Sequence, residues 1–335
     1  MVLWLVIGFG YGLAIGSFLN VVIWRLPNGL SVAAPQWSFC PQCKTRLGAS
    51  DLVPLFSFLL LGARCRYCRK PISWRYPAIE LLTGLLFLAV AWRFYGQWDA
   101  ALFSCVFTAI LICVFFIDLE HFVIPDGLNL LGAAVGFAHN AVAIALGRPG
   151  QFTRIGRYEI PLSIVGWAGY AAIIYLIGLI SYAYIVCVVD KKKSLWRAVS
   201  EYISENVLDW TYLTCYYLGA VIPALRKRVL PPEPLKGDTA EGIEDDDLAG
   251  GMGGGDGKLA AAIGANLGFV LSAESFFFAI FIGVFMGLAA MIRRRRKMGE
   301  RTAIPFGPAM AVGAFLCLFF GYNLIWWYMA LLAHK

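Results

Sequence analysis

Stretches of about 20 consecutive apolar residues, the length a helix needs to cross a bilayer, recur along this chain. They fall at residues 2–24, 77–95, 100–117, 127–146, 161–189, 259–292 and 308–332. The stretch 259–292 is too long for one helix. Its polar Ser272, Glu274 and Ser275 predict two helices joined by a turn near Glu274, the first rather short. The expected fold is therefore an all-α polytopic membrane protein with about eight transmembrane helices. Composition agrees, since 60% of residues are hydrophobic and 15% charged, where a soluble domain carries roughly a quarter charged. This excludes a secreted disulfide scaffold, a disordered chain and a soluble nucleic-acid binder, so no nucleic-acid partner is expected. The first stretch does not read as a cleavable signal, because no basic region precedes it and it runs directly into Arg25.

Charge gives the direction of threading. With an even number of spans, segments 25–76, 118–126, 190–258 and 293–307 share one side, and they hold 23 of the 28 Lys and Arg. By the positive-inside rule that side is cytoplasmic and both termini face outward. The other side holds Arg93, Arg148, Arg154, Arg157 and Lys335.

Four of the nine cysteines are organised, as Cys40, Cys43 and Cys65, Cys68. Two C-x-x-C knuckles at this separation form a zinc-ribbon pattern, because two intervening residues let both thiolates point at one tetrahedral ion. Lys44, Arg64, Arg66 and Arg69 would offset the surplus negative charge of a four-thiolate site. A closed site of this kind is structural. The alternatives are two disulfides, which a reducing cytoplasm disfavours, and a redox C-x-x-C. Cys105, Cys113, Cys187, Cys215 and Cys317 read as packing residues.

Ionisable groups at the rim of a bilayer are costly and mark functional sites. Asp118 ends a wholly apolar run, and Asp256 opens the sixth span from the same side behind Gly253 and Gly255. Two such carboxylates, if close, do not both ionise easily; one serves as general acid and the other as base toward water. That is the logic of an aspartic protease. Glycines before Asp256 would let backbone approach closely. The competing reading is helix capping: Asp126, after Pro125, has the look of an N-cap, and Asp256 could cap its span. Glu120 and His121 read as solvated.

Taken together, these motifs resemble the type IV prepilin peptidases, bifunctional leader peptidases and N-methyltransferases. The resemblance runs from Gly16 through Asn20 and Arg25 to Pro27, then through both cysteine knuckles and from Arg75 through Glu80 to Gly84. It continues from Asp118 to Asp126, through Gly253, Gly255, Asp256 and Lys258, and ends at Ile304 to Pro308. It implies a GxGD-type aspartic peptidase with Asp118 and Asp256 as the catalytic pair, acting through water. It also implies type IV prepilin or type II secretion pseudopilin substrates, cut after a glycine on the cytoplasmic face of the bacterial inner membrane. The new N-terminus would then be methylated from S-adenosylmethionine, with structural zinc in the forms associated with methyl transfer. Asn20, Arg25, Glu80, Asp126, Gly253, Gly255 and Lys258 match supporting motifs, although Glu80 could equally interact with a helix dipole. No glycine-rich signature places the methyl donor.

The expected organisation is a first span at 1–24, a cytoplasmic zinc-binding domain at 25–76, and spans two to five at 77–189. An insertion follows at 190–249, and the GxGD block with the last three spans occupies 250–335. In the resembling family the fifth span leads almost directly into the GxGD block, so the insertion is a departure. It holds a moderately apolar stretch at 207–225, expected as a surface helix, and a flexible linker at 231–251. The insertion could regulate access, dock a pilus-assembly component, or be a tolerated solvated loop. Two readings of another class compete with the enzyme. One is a non-catalytic zinc-ribbon scaffold. The other is a proton-coupled transporter, whose carboxylates would sit nearer mid-bilayer.

Overall fold

The structure, a computed structural model, describes residues 1–34, 37–189, 194–208, 254–294 and 305–333. Seven of its helices are long and apolar enough to cross a membrane, and this is a multi-pass membrane protein. The chain divides into two units, Met1–Glu120 and His121–Lys335.

In the first unit, α1 (Val2–Arg25) pairs with α3 (Arg75–Arg93). Small residues allow this. Gly8 lies against Ala91, Gly12 against Gly84 and Thr83, and Gly16 against Glu80 and Thr83. These contacts descend α3 as they climb α1, so the helices are antiparallel. A Cβ on Gly12 would stand 2.7 Å from the Gly84 Cα. Membrane helices associate by such close approach, because lipid supplies no hydrophobic drive between them. Polar bonds lock both ends: Trp4 donates to the Ala91 carbonyl at 2.9 Å and Asn20 to that of Tyr76 at 3.1 Å. Between the two helices lie a cysteine-bearing loop domain and the short α2 (Phe56–Leu60). The unit ends with α4 (Trp98–His121).

The second unit holds α5 (Asp126–Ala145), α6 (Leu162–Tyr184), α7 (Leu195–Tyr202), α8 (Gly254–Arg294) and α9 (Gly307–Ala333). Between α5 and α6 an antiparallel hairpin, β1 (Phe152–Ile155) with β2 (Tyr158–Pro161), pairs Arg154 with Glu159. The all-α expectation missed it. The alternation of Thr153, Ile155, Tyr158 and Ile160 around Gly156, whose φ is +62°, was the available signal. Asn140, Gln151 and Ser163 tie the hairpin to α5 and α6.

Helix α8 carries a non-helical residue, Gly268, at φ 74° and ψ 170°, a conformation that glycine adopts without a Cβ penalty. Before it, Gly257 lies on Tyr175, Gly264 on Gly166 and Gly268 on Leu162, so the first arm runs antiparallel to α6. After it, the order reverses: Phe269 meets Gly169, and Phe276 meets Tyr170 with ring centroids 6.3 Å apart. The chain therefore turns back at Gly268, and α8 is a helical hairpin. Its first arm, residues 254–267, is about 21 Å long at 1.5 Å per residue, shorter than the hydrocarbon core, as the sequence suggested.

The turn is not at Glu274, however. Ser272 and Ser275 donate to the carbonyls of Gly268 and Ser272, at 2.6 and 2.9 Å, which lets polar residues continue a helix. Glu274 lies inside the second arm, where its carboxylate faces Gly321 of α9.

At the crossing of α6 and α8, Gly166 and Gly264 each leave the other's backbone no room for a Cβ. Replacing Gly264 with Val is expected to force the helices apart, costing about 3 kcal/mol or more. The check is a lower melting temperature in detergent and loss of monodisperse protein on size exclusion.

The expected surface helix at 207–225 and the linker at 231–251 lie essentially outside the described residues, as does Gly253.

Candidate active site and metal centre

The two cysteine knuckles are near copies of one another. In each, the first cysteine donates its N–H to the carbonyl five residues on, Cys40 to Thr45 at 3.0 Å and Cys65 to Lys70 at 2.9 Å. Each accepts in return from the residue four on, Lys44 at 2.8 Å and Arg69 at 3.0 Å. Lys44 and Arg69 both stand at φ +58°. These two cations, expected only as charge compensation, also make the left-handed turn of each knuckle. Bridges Phe39 to Arg46 and Arg64 to Pro71 close the knuckles at their bases.

The folding brings Sγ of Cys40, Cys43, Cys65 and Cys68 within 4.8 Å of one another, with none in a disulfide. A tetrahedral zinc with Zn–S bonds of about 2.3 Å needs sulfurs about 3.8 Å apart, so the donor set fits that ion after a small contraction. The thiols are already differentiated. Hydrogen bonds from Thr45 push Cys43 down to about 6, while a backbone bond from Cys68 lowers Cys65. The Lys70 N–H pulls Cys68 down, but burial and the three facing sulfurs outweigh it and push it up to about 11. A bound cation would let all four become thiolates.

Asp51 braces this domain. It pairs with Arg66 at 2.6 Å and accepts from Tyr67 and the Gly48 N–H at 3.1 and 3.0 Å. Burial pushes its carboxyl up, but Arg66, Gly48 and Tyr67 prevail and hold it below the usual carboxylate range.

Three residues carried by motif resemblance alone gain physical roles here. Arg25, 4% exposed, donates to the carbonyls of Ser31, Val32 and Trp37, fixing the loop that leaves α1. Glu80 accepts the Leu55 N–H at 2.9 Å, at the start of α2. Asn20 sits with both at the foot of the cysteine domain, lining one cavity. Glu120 proves to be paired rather than free, with Arg75 at 2.9 Å.

Asp118 is buried, 5% exposed, near the end of α4 in the first unit. Asp256 stands in the first turn of α8 in the second unit. Around Asp256 the glycines serve close packing: Gly255 is against Ile124, and a Cβ on Gly257 would meet the Tyr175 ring at 2.5 Å.

Asp126 is not an N-cap. Pro125 takes the cap position, and Asp126, one residue later, makes an ion pair with Lys258 at 2.7 Å. This bond ties the start of α5 to the turn bearing Asp256. Lys258 is only 8% exposed, so removing its partner strands a buried charge. Asp126→Asn is expected to cost about 3 kcal/mol, measured as a lower melting temperature that Lys258→Met in the same chain partly restores.

Sequence reasoning also missed Tyr202, at the end of α7 within the insertion. It is 5% exposed and stacks near Tyr182 with centroids 5.8 Å apart. Burial and the negative charge of Asp256 push its phenol up. Four residues on, Asn206 packs on Gly254, beside the GxGD turn. The insertion therefore begins by folding back over Asp256. Ala198 and Tyr202 are buried while the larger apolar Leu195 and Trp196 are exposed, so hydrophobicity alone does not mark the packed face.

Comparison with known proteins decides the family. The profile described as "Type IV leader peptidase family" matches residues 105–288, and that described as "Bacterial Peptidase A24 N-terminal domain" matches residues 11–94. The chain belongs to the type IV leader peptidase family. Among curated relatives, the prepilin leader peptidase/N-methyltransferase of Aeromonas hydrophila is 29% identical, over 96% of this chain and 92% of that protein. The protein of the same name from Neisseria gonorrhoeae is 30% identical, over 94% and 90%. That of Myxococcus xanthus is 45% identical over 130 residues, 39% of this chain and 38% of its own length. No solved structure matches. Both aspartates fall within the leader peptidase match and all four clustered cysteines within the N-terminal one.

Proposed function

We propose that this leader peptidase removes the leader of type IV prepilins or type II secretion pseudopilins, and then methylates the exposed N-terminus. The observation that carries this reading is family membership together with an aspartate in each of the two units, Asp118 and Asp256, both inside the matched region. In this reading the two carboxylates share one proton. The ionised one draws a proton from water, the water oxygen attacks the carbonyl carbon of the leader's last glycine, and the protonated one donates to the leaving nitrogen. No bond to the enzyme forms. Charge asymmetry supports a cytoplasmic position for the ribbon and both aspartates at the bacterial inner membrane, with both termini outside. The close fit of Tyr202 and Asn206 at the Asp256 turn supports a role for the start of the insertion in controlling access. Docking of a pilus-assembly component would fall to its remainder.

Cys40, Cys43, Cys65 and Cys68 would hold a zinc ion, and four thiolate donors would make it structural rather than catalytic. S-adenosylmethionine, when bound, would supply a methyl group to the lone pair of the new N-terminal amine, its C–S bonding pair staying on sulfur and the nitrogen losing one proton.

The test is incubation of the detergent-solubilised protein with a prepilin and tritiated S-adenosylmethionine. Leader loss with label in the shortened product is expected. An intact prepilin would leave the scaffold reading, and proton uptake by proteoliposomes bearing the chain would favour the transporter.

A further inference from the structure

Within the first unit the ribbon and the ends of α1 and α3 enclose a cavity of about 360 Å³. Sites for small molecules start near 300 Å³, so this space suits one small ligand. At its floor stands Glu80, 9% exposed, with no cationic partner among the described residues. Next to it on the floor, Asn20 spends its amide N–H groups on the carbonyls of Gly16 and Tyr76. Its carbonyl oxygen has no partner among the described residues. Two acceptors, one of them a buried carboxylate that accepts from the Leu55 N–H and the Ser17 hydroxyl and makes no ion pair among the described residues, thus line a cavity at the membrane edge. Such a group calls for a cation.

The rest of the lining narrows the cation's nature. Trp24 and Phe39 form one wall, edge to face with centroids 5.9 Å apart. They offer a surface for a flat heterocycle and for a positive charge over a ring. Arg66, paired through Nε with Asp51, and Lys70, which donates to Gln42 at 3.3 Å, also line the cavity on the ribbon side, and their remaining N–H groups can meet a carboxylate. A ligand with a planar base, a fixed positive centre and an amino acid carboxylate matches all three features. A polypeptide N-terminus has the ammonium but neither the base nor the adjacent carboxylate.

We propose that this cavity, floored by Asn20 and Glu80, binds the methyl donor S-adenosylmethionine. This rests on the methyl-transfer reading above. It assigns the ribbon a purpose beyond folding: the zinc-held knuckles supply the cavity's roof, with Cys40 and Cys65 both among the lining residues.

The test uses the full-length, zinc-loaded protein in detergent with tritiated S-adenosylmethionine, read by equilibrium dialysis and by ultraviolet cross-linking with peptide mapping. Wild type is expected to bind and to carry label within residues 17–80. Glu80→Gln keeps the side chain's shape and its bond to Leu55 but removes the charge; affinity should fall about tenfold. Val21→Phe narrows the cavity without touching a polar group and should weaken binding at least as much. Zinc content and melting temperature check that both variants fold, and the map on wild type needs no variant. Label within 121–335, or wild-type affinity in both variants, overturns the site. If wild type still methylates a cleaved prepilin in that case, the methyl-transfer reading survives. If wild type neither binds the donor nor transfers methyl, the site and the reading fall together.

Discussion

Asp118→Asn and Asp256→Asn should each lower the rate of prepilin cleavage by about 10³-fold or more, leaving zinc content and melting behaviour near wild type. The magnitude follows from what general acid–base groups contribute, roughly 10² to 10⁴ each, when neither can stand in for the other. Asn keeps the size of the side chain but can neither take nor release a proton at this pH. Asp118 is 5% exposed, and Asn there is isosteric and introduces no new charge, so the fold should tolerate it. Shared-proton chemistry makes a further demand: the double variant should be no slower than the slower single one, because either change removes the whole function. Rates are read from densitometry of the shortened pilin. A single variant that still cleaves within tenfold of wild type would remove its aspartate from the mechanism.

The Cys40→Ser, Cys65→Ser double variant should reduce bound zinc from about one per chain to below about 0.2, since a structural site draws its affinity from four thiolates. Metal analysis of purified protein measures this directly. The loss should reach beyond the metal. Arg25 and Glu80 hold the surrounding loops by hydrogen bonds to backbone, whereas a bound ion would join the two knuckles far more strongly than the Lys70–Gln42 hydrogen bond between them. Protease cutting within 38–73 should therefore rise sharply, while the α1–α3 pair stays intact.

Acid should act in the same direction. Protonation of the thiolates releases the ion first. Asp51, whose folded pKa is depressed, adds stability that is present above the unfolded value of about 3.9 and is lost as pH falls through the folded one. The ribbon is thus expected to loosen in two steps on acidification, zinc release preceding the loss of the Asp51–Arg66 brace.

The spans were legible because lipid imposes a single length and polarity rule, and helix boundaries such as Val2–Arg25 and Trp98–His121 lie within a few residues of the expected ones. The cysteine knuckles were legible for a similar reason, as ligand spacing is local. What escaped was long-range or backbone-driven. Glu274 looked like a turn because a carboxylate in an apolar run suggests an exit, yet Gly268 makes the reversal through its backbone. Asp126 looked like a cap because it follows proline, and only the fold reveals Lys258 beside it. Tyr202 drew no notice, since nothing local marks a tyrosine that will face an aspartate more than fifty residues later.

The most direct measurement is a mass spectrum of a purified type IV prepilin after incubation with this chain and S-adenosylmethionine, run beside the Asp118→Asn and Asp256→Asn variants. The expected wild-type products are a leader ending in its glycine and a mature chain that begins at the next residue and carries one added methyl group. Neither product should form with the variants. Cleavage at another bond, unaltered prepilin with wild type, or the same products from either aspartate variant would contradict it.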